Sequence, residues 1–344
     1  MTKKTTIYDI AKKLNLSAAT VSRALNGNTR ISEETRAKVL KVADSLNYEQ
    51  NKLARALQSG KSYSVGVIVP RIDNNFLSSV IRGIEEELQD SGYHVIICQT
   101  HESPEREIEN INTLLNAQVD GLLLSTCNVS DENFKLITKV INKNIPVVFF
   151  DRKIDVPEAS SVTIDDYMGA YLATMHLIKE GATKIAHFSG DKNLQIYESR
   201  YKGYCDALKK SNIAYNEDYV IKVRSKIDDG KAALKQLFTL KDKPNALFSS
   251  SDFAALGAIQ ELKANKIDVP NEFSVFGFGN EPFTQFNELS ISSVDQSPIK
   301  MGKLTATVFL EKIQNKLDKG TKNIVLEPEL QYRASSNKKD NVTV

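Results

Sequence analysis

No stretch of this 344-residue chain stays apolar for the ~18 residues that a membrane-spanning helix needs. Lys3 and Lys4 near the N-terminus are not followed by an apolar run, so no secretory signal is expected. Cys98, Cys127 and Cys205 are far apart and lack metal-ligand spacing. An odd cysteine count without a secretion signal points to reduced thiols and a cytoplasmic protein. His94, His101, His176 and His187 are not at metal spacing either. A Walker A loop is missing, and Gly277-Phe278-Gly279 runs into Asn280-Glu281-Pro282 rather than a dinucleotide fingerprint. Ser189-Gly190 lacks the nucleophile-elbow pattern. Asp165-Asp166 and Asp228-Asp229 read as helix-start charges rather than acid–base pairs. With no catalytic constellation, neither an enzyme nor a cofactor is expected.

What is present is an ordinary globular composition, 41% hydrophobic and 26% charged. At ~100–200 residues per domain, the length suits two or three domains. The net charge of +2 conceals an asymmetry. Residues 1–62 carry 12 Lys+Arg against 5 Asp+Glu, which is +7; the remainder carries 33 against 38, which is −5. A basic head on an acidic body suits nucleic-acid binding by the head, because phosphates dominate affinity.

The head reads as three short helices. Thr6 is a candidate N-cap, with Asp9 favouring the positive helix end. Ile7, Ile10, Ala11 and Leu14 then recur on one helical face. After a break at Asn15-Leu16, Ser17 caps a second helix. Its apolar face is Val21, Ala24 and Leu25, and its other face shows Ala18, Ala19, Thr20, Ser22 and Arg23. Asn26-Gly27-Asn28 stops it, with Gly27 suited to a left-handed cap. Ser32 starts a third helix, Glu33 to Leu46, with Val39, Leu40, Val42, Ala43 and Leu46 apolar. A tight turn between the first two helices is the helix-turn-helix arrangement, which places a recognition helix in the major groove.

Three stretches carry a resemblance: Ile7-Tyr8-Asp9-Ile10-Ala11, Leu16 to Asn26, and Ile31-Ser32-Glu33-Glu34-Thr35-Arg36. Together they closely resemble the headpiece of the lactose-repressor (LacI/GalR) family, for which Thr20-Val21-Ser22-Arg23-Ala24-Leu25-Asn26 is a specific signature. The resemblance implies that Ala18, Ala19 and Arg23 read base edges. Arginine can bind guanine bidentately and alanine can touch a thymine methyl. It also implies that Tyr8, Ser17, Thr20, Ser22 and Asn26 contact phosphates, which set register without reading sequence. By the same resemblance, the segment after Tyr48 folds as a hinge helix on DNA. Leu57 would wedge into the minor groove, with Ala54 and Arg55 beside it. So short a helix is marginal when free in water. The family's usual proline is Gln50 here.

From Tyr63 onward, β-rich runs alternate with helical ones, which implies parallel sheets covered by helices. Expected strands are Val65–Val69, His94–Cys98, Gly121–Leu124 and Val147–Phe150. A restart then follows with Ser161–Ile164, Lys184–Ser189, Tyr219–Val223, Ala246–Ser250 and Ser274–Phe278. The fold class is therefore α/β: a helix-turn-helix headpiece and a body of two doubly wound halves. Expected boundaries are 1–48 for the headpiece, 49–62 for the hinge and 63–344 for the body. Within the body, the first half covers about 63–162 and 296–325, and the second about 163–295 and 326–335. Two such halves form a cleft at facing strand ends.

Asp165 to Ala170, His176-Leu177-Ile178, Glu198 to Tyr204, Ser251 to Gly257, Val269-Pro270 and Met301-Gly302 extend the resemblance over about residues 5–333. It implies a periplasmic sugar-binding-protein fold with an effector at the strand ends. Arg200 is the first candidate contact, since its fork can hold hydroxyls or a carboxylate. Asp73, Asn75, Phe76, Ser125, Asp151, Arg152, Ser251 and Asn280 join it. Asp252 reads rather as a helix N-cap. The family's Phe-Asp-Asp is Phe278-Gly279-Asn280 here, leaving one carboxylate fewer beside Arg152 and Arg200. That would favour an anionic sugar, with Asn280 or Glu281 as substitutes for the lost group.

The expected protein is a sequence-specific transcription regulator, a repressor of carbohydrate-utilisation genes under a sugar or sugar-acid effector. It would be a homodimer on near-palindromic operator DNA, away from membranes. The polar tail Ala334–Val344 has no leucine heptads with which to build a tetramer. The alternatives are a sugar-binding protein with a vestigial head and a sugar-modifying enzyme.

Overall fold

The computed structural model describes residues 5–48, 61–127, 130–314 and 320–338. Contacts divide the chain into two compact units, 1–62 and 63–344.

The first unit holds α1 (Ile7–Leu14), α2 (Ala18–Leu25) and α3 (Glu33–Ser45). The Asp9 carboxylate accepts from the Thr6 amide at 2.8 Å and the Thr6 hydroxyl at 2.7 Å, which secures the start of α1. Asn15, at a left-handed φ of 51°, turns the chain out of α1. Ser17 Oγ accepts from the Thr20 amide at 3.1 Å and begins α2 two residues later. Gly27, at φ 72°, lets the Asn28 amide return to the Arg23 carbonyl at 3.0 Å. Ile10, Ala11, Val21, Ala24, Val39 and Ala43 meet as the core. Leu40, expected on the apolar face of α3, is instead 47% exposed; it follows the core residue Val39 by one position, which turns it about 100° away.

The second unit contains two six-stranded sheets. The first is built from β1 (Ser64–Val69), β2 (His94–Gln99), β3 (Leu122–Leu124), β4 (Val147–Phe150), β5 (Ser160–Ile164) and β11 (Asn323–Leu326). Its spatial order is β11-β5-β4-β3-β1-β2, all parallel. The second is built from β6 (Ile185–Ser189), β7 (Val220–Lys222), β8 (Ala246–Ser249), β9 (Ser274–Phe278), β10 (Ser292–Asp295) and β12 (Glu329–Gln331), in the order β12-β10-β9-β8-β6-β7. Only the β10–β12 pair in it is antiparallel. Apolar clusters cover both faces of each sheet. This is why β1, β3 and β4 read as unbroken apolar runs.

Ser161–Ile164 does not open the second half: β5 pairs with β4 and β11 in the first sheet. Its pattern marks a buried strand but carries no label for the sheet it joins. The chain passes between the sheets after β5, after β10 and between β11 and β12. After the second passage, α12 (Pro298–Ile313) packs on α4 (Asn75–Gln89). That crossing needs two glycines. A Cβ on Gly302 would lie 2.1 Å from the Val80 carbonyl oxygen, and one on Gly83 would lie 2.3 Å from that of Ile299.

Candidate functional site

The outward face of α2 is built by its helical period. Val21 and Ala24 point into the core, so Ala19 and Arg23 are exposed, as is Asn26 just beyond the last turn. Ser22 and Thr20 are half-buried, and Ser17 is exposed at the cap. Tyr8 on α1 is 72% exposed, unusual for a tyrosine with no partner surface. Ala18 is half-buried and packs against the headpiece core, so less of it is offered to a base than of Ala19. Ala54, Arg55 and Leu57, together with Gln50, lie outside the described residues.

In the body, the carboxyl ends of the strands from both sheets line one cleft of about 660 Å³. Such strand ends are where open α/β sheets bind ligands. Arg200, in the second turn of α8 (Gln195–Lys210), is 5% exposed. Its Nε donates to Asp166 Oδ1 at 2.7 Å, Nη1 to the Ser250 carbonyl at 3.0 Å, and Nη2 to Gln296 Oε1 at 3.3 Å. The guanidinium also lies 3.6 Å from the centre of the Phe278 ring. One residue thereby ties together the starts of α7 (Asp166–Lys179) and α10 (Asp252–Ala264) and the strand end of β10. Burial raises Asp166 to about 6 against the opposing pull of Arg200.

Across the cleft, Arg152 donates to Glu102 at 2.7 and 3.3 Å. Asp151 sits at a left-handed φ of 60°, a strained backbone that Ser125 secures by donating to its carboxylate at 3.0 Å. Burial raises the Asp151 carboxyl above the ordinary range.

Two further buried carboxylates face the cleft. Asp252 is the first residue of α10, not its cap. The N-cap position belongs to Ser251, whose side chain makes no capping bond. The Asp252 carboxylate turns instead to the β9–β10 side, accepting from Ser293 Oγ at 2.7 Å and the Glu281 amide at 2.9 Å. Gly277 makes room for this, because a Cβ there would lie 2.1 Å from Asp252 Oδ1. Burial raises Asp252 to about 6. Glu281, 7% exposed, is raised to about 7 by burial first and by the Asp252 charge second. The Phe76 amide, at the start of α4 in the other half, opposes that rise.

Of the expected contacts, Asp73, Phe76, Asp151, Arg152, Arg200 and Ser251 line the cleft. Asn75, Ser125 and Asn280 do not. Ser125 works behind it by holding Asp151. Asn280, at φ 50°, donates to Asp295 and accepts from Arg333, which turns it to the far side of its loop. Asn75 opens α4 beside its cap Asn74, and the next residue, Phe76, faces inward. Arg71, Tyr197 and Gln296 line the cleft unforeseen, and Glu281, expected only as a substitute for the lost carboxylate, lines it too. Gln296 follows the end of β10 directly and Arg71 lies two residues past the end of β1, so the strand-end rule applied to every strand would have found them. Tyr197 lies one helical turn before Arg200.

The lost carboxylate at position 279 does not leave a surplus of positive charge. Arg71 is paired with Asp73, Arg152 with Glu102, Arg200 with Asp166, Lys222 with Asp191 and Arg224 with Asp229. Among the described residues no cluster of His, Cys, Asp and Glu could hold a metal ion, and no helix is long and apolar enough to cross a membrane.

Residues 6–51 match the family model for bacterial regulatory proteins of the LacI family. Residues 62–327 match that for periplasmic binding proteins and the sugar-binding domain of the LacI family. Catabolite control protein A of Priestia megaterium is 32% identical over 332 residues, covering 96% of this chain and 99% of that one. A structure of the transcriptional regulator CelR in complex with cellobiose matches with TM-score 0.73 at 25% identity, over 96% of this chain and 100% of that one. The lac repressor dimer bound to operator and the anti-inducer ONPF shares the fold, with TM-score 0.87 at 23% identity over 97% and 99%. The chain thus belongs to the LacI family of bacterial regulatory proteins: it is a DNA-binding transcription regulator, not an enzyme, with a body of the family's sugar-binding type.

Proposed function

We propose that this regulator represses carbohydrate-utilisation genes from a near-palindromic operator and that a small carbohydrate in the body cleft controls its hold on DNA. The carrying observation is the face of α2 opposite the headpiece core, where Ala19 and Arg23 stand exposed on a helix capped by Ser17. Arg23 reads a guanine edge, with Ala18 and Ala19 against neighbouring methyl groups. Tyr8, Ser17, Thr20, Ser22 and Asn26 hold phosphates, and Ala54, Arg55 and Leu57 work in the minor groove at the dyad. Two copies act together, because a two-fold protein suits a two-fold site. Domain limits of 1–48, 49–62 and 63–344 follow from these roles, and action at the chromosome places the protein in the cytoplasm.

The cleft volume of about 660 Å³ fits a small sugar, with Phe76, Tyr197 and Phe278 as apolar walls and buried polar groups between them. The CelR–cellobiose structure supports a sugar in this place. Binding changes the angle between the two halves, and through it the geometry of the paired headpieces.

The test is selection of bound duplexes from random DNA by the full chain. A palindrome should be enriched, and Arg23→Ala should lose about 1–3 kcal/mol of discrimination at one base pair per half-site. If neither protein enriches any sequence, with or without sugars present, the head does not read DNA and the sugar-binding alternative replaces this reading.

A further inference from the structure

The buried charge in the cleft is lopsided, in the direction opposite to that expected from Gly279. The two buried guanidiniums, Arg152 and Arg200, are both committed to carboxylates. Among the described residues, Asp252 and Glu281 are in no ion pair. Asp252 receives neutral donors, the Ser293 hydroxyl and the Glu281 and Phe278 amides, and feels Arg333 at longer range. Among the described residues, the Phe76 amide is the donor directed at Glu281. The remaining cation of the lining, Lys226, is exposed to solvent.

Gly279 stands beside both of them in the cleft lining. A Cβ there would crowd Asp252 Oδ2 at 3.3 Å and lie 3.9 Å from Glu281 Cγ, and φ 129° is a backbone that side-chain-bearing residues rarely adopt. The bare backbone therefore lets a ligand group approach the Asp252 carboxylate and the Glu281 side chain from the cleft. The same cleft holds unmet polar groups. Among the described residues the hydroxyl of Ser250, 4% exposed, has no hydrogen-bond partner, and Arg152 Nε, 3.8 Å from Asp151 Oδ2, makes no hydrogen bond either. Buried polar atoms are rarely left so, and here they line the space that a polar ligand would fill.

We infer that the effector is an amino sugar, whose ammonium group sits beside Gly279 between Asp252 and Glu281 while its hydroxyls meet Ser250 and Arg152. This rests on the carbohydrate-effector reading above. An ammonium offers three donors and a charge to two carboxylates that otherwise repel each other. Because the pair is partly protonated near neutral pH, with values of about 6 and about 7, seating a cation expels a proton.

The test is calorimetry on the full chain with glucosamine, galactosamine and mannosamine, each beside its parent hexose, its N-acetyl derivative and its uronic acid. Measurements are made between those two pH values in two buffers of different ionisation enthalpy. One amino sugar should bind about tenfold or more tighter than its neutral counterparts, with a heat that changes with the buffer. Glu281→Gln should remove about tenfold of that preference and the proton release, weakening the amino sugar more than the parent hexose. Asp252→Asn provides the same comparison should the first variant fold poorly, and the wild-type preference needs neither. Tightest binding by a neutral or acidic sugar overturns this inference and leaves the carbohydrate reading intact. If no sugar of any class binds, both fall.

Discussion

The headpiece and the body bury different things. Among the described residues, every buried side chain of the headpiece is apolar: Ile10, Ala11, Val21, Ala24, Val39 and Ala43. Its polar groups remain outside, where DNA can meet them. The body also has apolar cores, yet it buries Glu107, Asp151, Asp166, Arg200, Asp252 and Glu281. A small unit cannot stabilise a dehydrated charge, whereas a large one can surround it with donors. Surface chemistry thus serves recognition of a large charged partner, and buried chemistry serves recognition of a small polar one. The two units should fail under different perturbations.

The largest expected effect is in the body. Arg200→Met leaves Asp166 buried without its cation, at a cost of about 3–5 kcal/mol. With no tryptophan in the chain, circular dichroism in denaturant is the suitable probe. A loss below about 1 kcal/mol would mean that Asp166 simply takes up a proton and the ion pair is dispensable. The headpiece counterpart is Ile10→Ala, costing about 2–5 kcal/mol from a core of six buried residues. The headpiece should unfold and operator binding should vanish, while the melting of the body stays in place. A parallel fall in the body transition would break the comparison.

The smallest effect is in pH. Glu281 is ordinarily 4.5 and about 7 when folded, so the folded chain holds its proton more tightly between those values. Its contribution is present below the ordinary value and lost as pH rises through about 7. Glu281→Gln does not titrate. Its melting temperature relative to wild type should therefore rise steadily from pH 4.5 to about 7. A constant difference across that window would mean that Glu281 is ionised throughout. No comparable drift is expected for the headpiece, which buries no ionisable group among its described residues.

Most secondary elements were legible because their signals are local. A fully buried parallel strand must be apolar throughout, as Val147–Phe150 is, and a helix over a sheet repeats its apolar residues at its own period. Short strands such as Ser292–Asp295 and Glu329–Gln331 escaped, since three or four residues with serines and glutamates carry no period. In the site, Arg200 and Asp151 were found by resemblance and by their place at strand ends. Glu281 was named only as a substitute and Asp252 only as a cap, because nothing in the order Ser251-Asp252-Phe253 tells that the carboxylate turns toward Ser293, 41 positions away.

The sequence by itself determined the family, the helix-turn-helix, the two-fold alternation of strands and helices, and which face of α2 stays exposed. Each of these depends on neighbours a few positions apart, whose spacing is written in the chain. Only the tertiary structure decided that β5 belongs to the first sheet, that Asn280 faces away from the cleft, and that its arginines are already paired. Those outcomes depend on charges and backbone that come together from distant segments, and a buried charge settles on whichever partner the fold brings within reach.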